Sequence, residues 1–176
     1  MPPLDALAST LPAYARDVAT NLRVLSEETV LGEAARWGCF VACAHAVGPA
    51  ALVRAASAAA LEAGVSAETI AAVKAAAATM AMNNVYHRAI HLMDNAEYRA
   101  LPSRLRINVT RNPGAPRVDF ELWSLAVSAI NGCGACLDAH EEELRALGVT
   151  ALQVQAALRI AAVVHAAGRV LAAEAV

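Results

Sequence analysis

ELWSLAVSAINGCGACLDAH, residues Glu121–His140, is an apolar helix, a break at Asn131-Gly132 and the start of a second helix. Asp119 stands where an N-cap would, so the first helix is expected over Phe120–Ile130. Asn-Gly then interrupts it. The helix bearing Cys133, Cys136 and His140 runs to about Leu147, where Gly148 ends it. Thr150 caps a last helix that runs nearly to the C-terminus. No strand-like alternation is visible, and apolar residues recur at helical spacing.

The same punctuation extends upstream. Leu4 to about Leu25 reads as an amphipathic helix interrupted near Pro12. A second helix is expected over roughly Ser26–Val47, stopped by Gly48-Pro49, and a third over Ala50–Ala63, ended by Gly64. Ser66 caps the next, with Glu68 in its first turn and Ile70, Val73 and Met80 inward; it fades near Asn83-Asn84. Val85–Met93 is also helical in pattern, and Asn95–Pro116, with three prolines and a glycine, is a connector.

LEAGVSAETIAAVKAAAATM (Leu61–Met80) lies without gaps on RALGVTALQVQAALRIAAVV (Arg145–Val164). Gly64, Val65 and Ser66 then fall on Gly148, Val149 and Thr150, a helix stop followed by a helix cap. Trp37 and Trp123 precede the two copies and read as core anchors. Alanine, the best helix former, dominates the apolar content, and aromatics are few. The expected fold is all-α: one two-lobed, pseudo-symmetric domain over 1–176, with lobes at about 1–94 and 119–176 and a connector at about 95–118.

With 58% hydrophobic and 17% charged residues, the chain has ample material for a core. A net charge of −2 and a pI near 6.2 leave no basic footprint for nucleic acid. The N-terminal MPPLDALASTLPAYARD lacks the features of a signal peptide. The longest stretch without formal charge, Trp37–Val53, is too short and too interrupted for a membrane span. A cytoplasmic protein with no membrane association is expected. Four cysteines there suit catalysis, metal binding or buried thiols.

Asn131 reads as an N-cap, which puts Cys133 and Cys136 in the first turns of a helix. Unpaired N–H groups and the helix dipole there favour an anion and lower a thiol pKa. Three-residue spacing puts both sulfurs on one side, able to close a disulfide. His140, four residues beyond Cys136, can take or return a thiol proton near neutral pH. Glu121 completes a proton relay with His140 if the Asn-Gly break folds its helix back. Two other chemistries fit these residues: zinc held by the cysteines and His140 with Glu121 or water, and a pair of buried inert thiols. Thioredoxin-like use of Cys-x-x-Cys needs a βαβ pattern that is missing here.

At these residues the chain resembles the alkylhydroperoxidase D family, within the carboxymuconolactone decarboxylase-like all-α superfamily. LPAYARD, MNNVYHR, the Arg-Asn-Pro-Gly connector, FELWSLAVSAINGC and CLDAHE match the family's landmarks in order. The resemblance implies a thiol-dependent peroxidase for alkyl hydroperoxides that also regenerates a partner peroxiredoxin, AhpC. It implies electrons from dihydrolipoamide on a lipoyl-bearing acyltransferase, recharged by dihydrolipoamide dehydrogenase and NADH, with no bound cofactor or metal. Carried over, Cys136 is the peroxidatic thiolate passing through a sulfenic acid, and Cys133 is the resolving thiol and proton donor. Glu121 and His140 form the relay, a Cys133–Cys136 disulfide ends each cycle, and a homotrimer is expected. One departure is plain: the family pattern has a histidine before the second cysteine, where this chain has Gly134-Ala135.

Two other functions stand as alternatives: a decarboxylase or lactone-processing enzyme of the same superfamily, which needs no paired thiols, and a redox adaptor that docks without turnover. Other candidates read as structural. Cys39 and Cys43, four apart on an apolar helix, suit buried thiols better than a disulfide. His45 suits a satisfied core position. His87 and His91 share a helix face, with a metal pair as the alternative to a polar or oligomer contact. His165 can point into the site or across a subunit interface. Asn83-Asn84 suit the backbone groups of a helix end.

Overall fold

In the computed structural model, which describes residues 1–175, the helices are α1 (Pro3–Thr10), α2 (Arg16–Glu27), α3 (Glu33–Val47), α4 (Ala50–Glu62), α5 (Ala67–Leu92), α6 (Glu97–Ala100), α7 (Arg117–Asn131), α8 (Gly134–Ala146) and α9 (Ala151–Ala173). Single 3-10 turns at Ala13–Ala15 and Asn108–Arg111 complete the order, and no strand occurs among the described residues. The all-α expectation holds.

The sequence repeat has a structural counterpart. α3 packs on α4, α5 and α9, while α7 packs on α8, α9 and α5, so exchanging the two triplets preserves the pairings. Extending the repeat puts Gly48 on Gly132, and both end their helices with positive φ, 104° and 66°. That left-handed conformation costs glycine little and other residues more. Ser66 Oγ accepts the Thr69 N–H at the start of α5. At the start of α9, Thr150 Oγ1 accepts the Gln153 N–H while Gln153 Oε1 accepts the Thr150 N–H, a capping box.

The core sits where α3 crosses α7, among Phe40, Val41, Val73, Leu125, Ile160 and Val164. Trp123 is fully buried there, and its Nε1 donates to Ala35 O over 3.2 Å. Its indole lies so close to α3 that a Cβ on Gly38 would stand 2.0 Å from Nε1, so the close crossing depends on that glycine. Trp37 is buried as expected and carries the Arg36 guanidinium over its ring, although its own Nε1 has no partner. α1 and α2 pack outside, on α4 and α9 respectively. α9 is long and apolar enough to cross a membrane by length and composition, yet Val154, Ile160 and Val164 are buried among its neighbours.

Several sequence expectations fail. The helix expected over Ser26–Val47 is two: α2 ends at Glu27 and α3 starts at Glu33. Glu28 turns extended, and Leu31 is buried from the loop, so an apolar pair that looked helical serves the core without a helix. α5 does not fade at Asn83-Asn84 but continues to Leu92. Asn84 lies fully buried within it and bonds to side chains, not to a helix end. Asp119 is not a cap; α7 begins at Arg117 after Pro116, leaving Asp119 in its first turn, where burial pushes its carboxyl up.

Candidate functional site

The site grows from the junction of α7 and α8. Gly132 stops α7 in the left-handed region, and its N–H donates to Ala129 O. The Cys133 N–H then donates to Ser128 O over 3.1 Å, closing the turn. A network from α5 pins the same turn. Asn84 Nδ2 donates to Ser128 Oγ at 2.9 Å, Asn131 Nδ2 donates to Asn84 Oδ1 at 3.0 Å, and Arg88 donates to the Asn131 carbonyl. Asn131 therefore ends α7 and is not the N-cap of α8; its amide is already engaged by Asn84.

Cys133 takes the N-cap position and Cys136 the first turn of α8. Cys133 thus lies just outside the helix, a correction to the expectation that both cysteines sit within it. The two sulfurs are joined in a disulfide, with Cα atoms 5.3 Å apart. Cys133 has no exposed surface, whereas Cys136 is 8% exposed and lines a cavity of about 510 Å³. A small molecule in that cavity meets Cys136 first.

The break folds α8 back on α7, which brings Glu121 and His140 together: His140 Nδ1 is 2.7 Å from Glu121 Oε2. Both line the cavity beside Cys136. Arg117 reaches Glu121 Oε1 at 3.6 Å and Glu143 Oε1 at 3.0 Å, bridging the two helices. Met80 closes the α5 side, with its sulfur 3.3 Å from His140 Nε2. Sequence reasoning missed Arg117 and Glu143, although their helical spacings from Glu121 and His140 hinted at both. Met80 was expected inward, but nothing in its own helix pointed to His140.

The remaining candidates divide. His87 and His91 line the same cavity from α5, with His91 Nδ1 2.8 Å from His87 O. Among the described residues no group of three or more His, Cys, Asp or Glu side chains is arranged to hold a metal ion. His165 lines a different, apolar cavity with Ile130 and Leu158. His45 is half-buried with an unpartnered Nε2, so it is not the satisfied core histidine expected; burial and then Lys74 push its imidazole down. Cys39 and Cys43 are free and fully buried, and burial pushes both thiols well up. On the extended repeat, Trp37, Pro49, Leu52 and Ala56 stand where Glu121, Cys133, Cys136 and His140 stand in the second half. Only one half of the pseudo-symmetric fold carries this chemistry.

The Carboxymuconolactone decarboxylase family matches residues 96–176, the part holding Cys133 and Cys136. Over nearly the whole chain, the sequence is similar to proteins named alkyl hydroperoxide reductase AhpD. That of Hyphomonas neptunium is 58% identical over 172 residues, covering 98% of this chain and 95% of the relative. That of Maricaulis maris is 56% identical over 171 residues, covering 97% and 98%. That of Brucella suis is 50% identical over 170 residues, covering 97% of each. With identities this high over almost the full length of both partners, the chain belongs to the AhpD family of alkyl hydroperoxide reductases.

Proposed function

We propose that this protein is a thiol-dependent peroxidase that reduces alkyl hydroperoxides and is recharged by dihydrolipoamide. The observation that carries it is a closed Cys133–Cys136 disulfide whose Cys136 end faces a cavity shared with the Glu121–His140 pair. The names of the relatives support the substrate class.

In the reduced protein, Cys136 at the start of α8 is the peroxidatic thiolate, favoured by the helix N-terminus. It attacks the distal peroxide oxygen; the O–O bond breaks, an alcohol leaves and Cys136 becomes a sulfenic acid. Glu121 and His140 relay the proton that the departing alkoxide needs. Cys133, dry and adjacent, attacks the sulfenic sulfur, water leaves and the disulfide closes. Dihydrolipoamide reopens it by thiol–disulfide exchange. The same dithiol can reduce an AhpC-type peroxiredoxin. A cytoplasmic homotrimer served by a lipoyl-bearing acyltransferase and dihydrolipoamide dehydrogenase completes the proposal. The exposed Leu92, just before the connector, and Tyr98, Leu101 and Ile107 within it offer apolar surface for subunit contact.

The paired thiols argue against the decarboxylase alternative, which has no use for them. The test is NADH oxidation with protein, lipoamide, dihydrolipoamide dehydrogenase and an alkyl hydroperoxide, beside Cys133→Ser and Cys136→Ser. Turnover lost in both variants supports the dithiol cycle. A parent chain that stays inactive, even with a peroxiredoxin added, overturns it in favour of an adaptor or a decarboxylase.

A further inference from the structure

Met80 has no part in the chemistry above, yet its sulfur sits 3.3 Å from His140 Nε2. The other ring nitrogen, Nδ1, is 2.7 Å from Glu121 Oε2. Asn84 Nδ2 donates to the same sulfur over 3.9 Å, and Met80 is 3% exposed, so the thioether is fixed in place. A thioether and an ionised carboxylate only accept hydrogen bonds. An imidazole held between them needs a hydrogen on each nitrogen to satisfy both. A neutral ring beside an ionised carboxylate has one hydrogen for two acceptors, and giving it to Glu121 would turn the bare Nε2 lone pair onto sulfur. Both contacts are made when Nε2 carries a hydrogen and a further proton lies between Nδ1 and Oε2.

Building on the thiol-peroxidase function proposed above, we propose that Met80 is a positioning residue whose sulfur keeps a hydrogen on His140 Nε2. The Glu121–His140 pair thereby holds one exchangeable proton while the Cys133–Cys136 disulfide is closed. When an incoming thiolate opens the disulfide, a new S–S bond forms, the old one breaks and one cysteine leaves as a thiolate. The stored proton converts that thiolate to a thiol. The pair, left as a carboxylate and a neutral imidazole, takes a proton back from solvent, into which the incoming thiol released its own, and can then supply the departing alkoxide of the next turnover.

Other groups bias the same proton. Arg117 on α7 stands 3.6 Å from Glu121 Oε1 and 3.0 Å from Glu143 Oε1 on α8. Cys136 on α8 and His87 and His91 on α5 face the same cavity. None of these offers an acceptor to Nε2 in this structure, whereas Met80 does.

The test is the ¹⁵N spectrum of the His140 ring in the oxidised protein, compared with Met80→Leu, which conserves volume, and Met80→Gln, which returns an acceptor. The parent is expected to carry hydrogen on Nε2. In Met80→Leu the ratio of Nε2-protonated to Nε2-bare rings should fall about fivefold, the size of one net hydrogen bond. The rate of disulfide opening by dihydrolipoamide above neutral pH should fall with it, and Met80→Gln should recover both. A parent with a bare Nε2, or a Met80→Leu spectrum identical to the parent's, overturns the proposal. The spectrum is read without peroxide. A chain inactive toward hydroperoxides therefore defeats the proposed function, while the ring spectrum alone decides the role of Met80.

Discussion

The carboxylate of Glu121 and the imidazole of His140 meet at 2.7 Å although they stand on different helices, α7 and α8. The contact exists because Gly132 reverses the chain between them. A charge-assisted bond of this kind orients the ring at the cavity wall. Glu121→Gln keeps the shape and removes the charge. Peroxide turnover is expected to fall about 10²-fold, at the low end for a lost general acid–base group, with little change in thermal stability. An activity within a factor of two of the parent would remove Glu121 from the relay.

Asn84 predicts a stability effect on the same turn. Replacing it with leucine leaves Ser128 Oγ, which is buried, and the Asn131 amide without their partner. Leaving a buried polar group unpaired costs about 1–3 kcal/mol. Urea denaturation of the oxidised Asn84→Leu protein should show a loss of that size. A change below about 0.5 kcal/mol, the range of an ordinary surface substitution, would mean that Gly132, the backbone bonds of the turn and Arg88 hold it without Asn84.

Cys39 and Cys43 are fully buried, and burial raises both thiol pKa values. In the oxidised native protein neither should react with a disulfide reagent at pH 8, and denaturant should release two reactive thiols. The shift also sets a pH dependence. Above the ordinary thiol value of about 8.5, the unfolded chain ionises these groups and the native chain does not. The unfolded state then binds fewer protons, so stability present below that value is lost as pH rises, by up to about 1.4 kcal/mol per unit for each thiol. Urea midpoints between pH 8 and 10 should fall more steeply for the parent than for a Cys39→Ala, Cys43→Ala variant. Equal slopes would show that the thiols ionise without unfolding.

The parts of this molecule legible in the sequence are those fixed by neighbours along the chain. Ser66 and Thr150 announce their helices because a cap bonds only three residues away. Cys133 and Cys136 announce their disulfide because only three residues of sequence separate them. What stayed hidden is set by distant packing. Asn84 looks like a helix end until Ser128, on another helix, takes its amide. Asn131 looks like a cap until Asn84 claims it. Val30-Leu31 looks helical because burial from a loop and burial from a helix need the same apolar side chain. Met80 gains its place beside His140 only from the packing of α5 against α8.

The Gly134-Ala135 pair between the cysteines makes the last prediction. Ala135 lines the cavity beside Cys136, and no imidazole stands between the two cysteines. His140, which serves the thiolate in the proposed cycle, stands one turn further along α8 and is already engaged by Glu121 and Met80. A second imidazole at residue 135 adds a hydrogen-bond donor close to the thiolate. Ala135→His is therefore expected to lower the thiolate titration midpoint of the reduced protein, followed by ultraviolet absorbance, and to raise its direct peroxidase rate. Reduction of a peroxiredoxin should change less, since disulfide exchange asks less of proton transfer than peroxide cleavage does. Coincident titration midpoints in the two proteins would mean that the helix N-terminus and His140 already supply all the stabilisation this site can give.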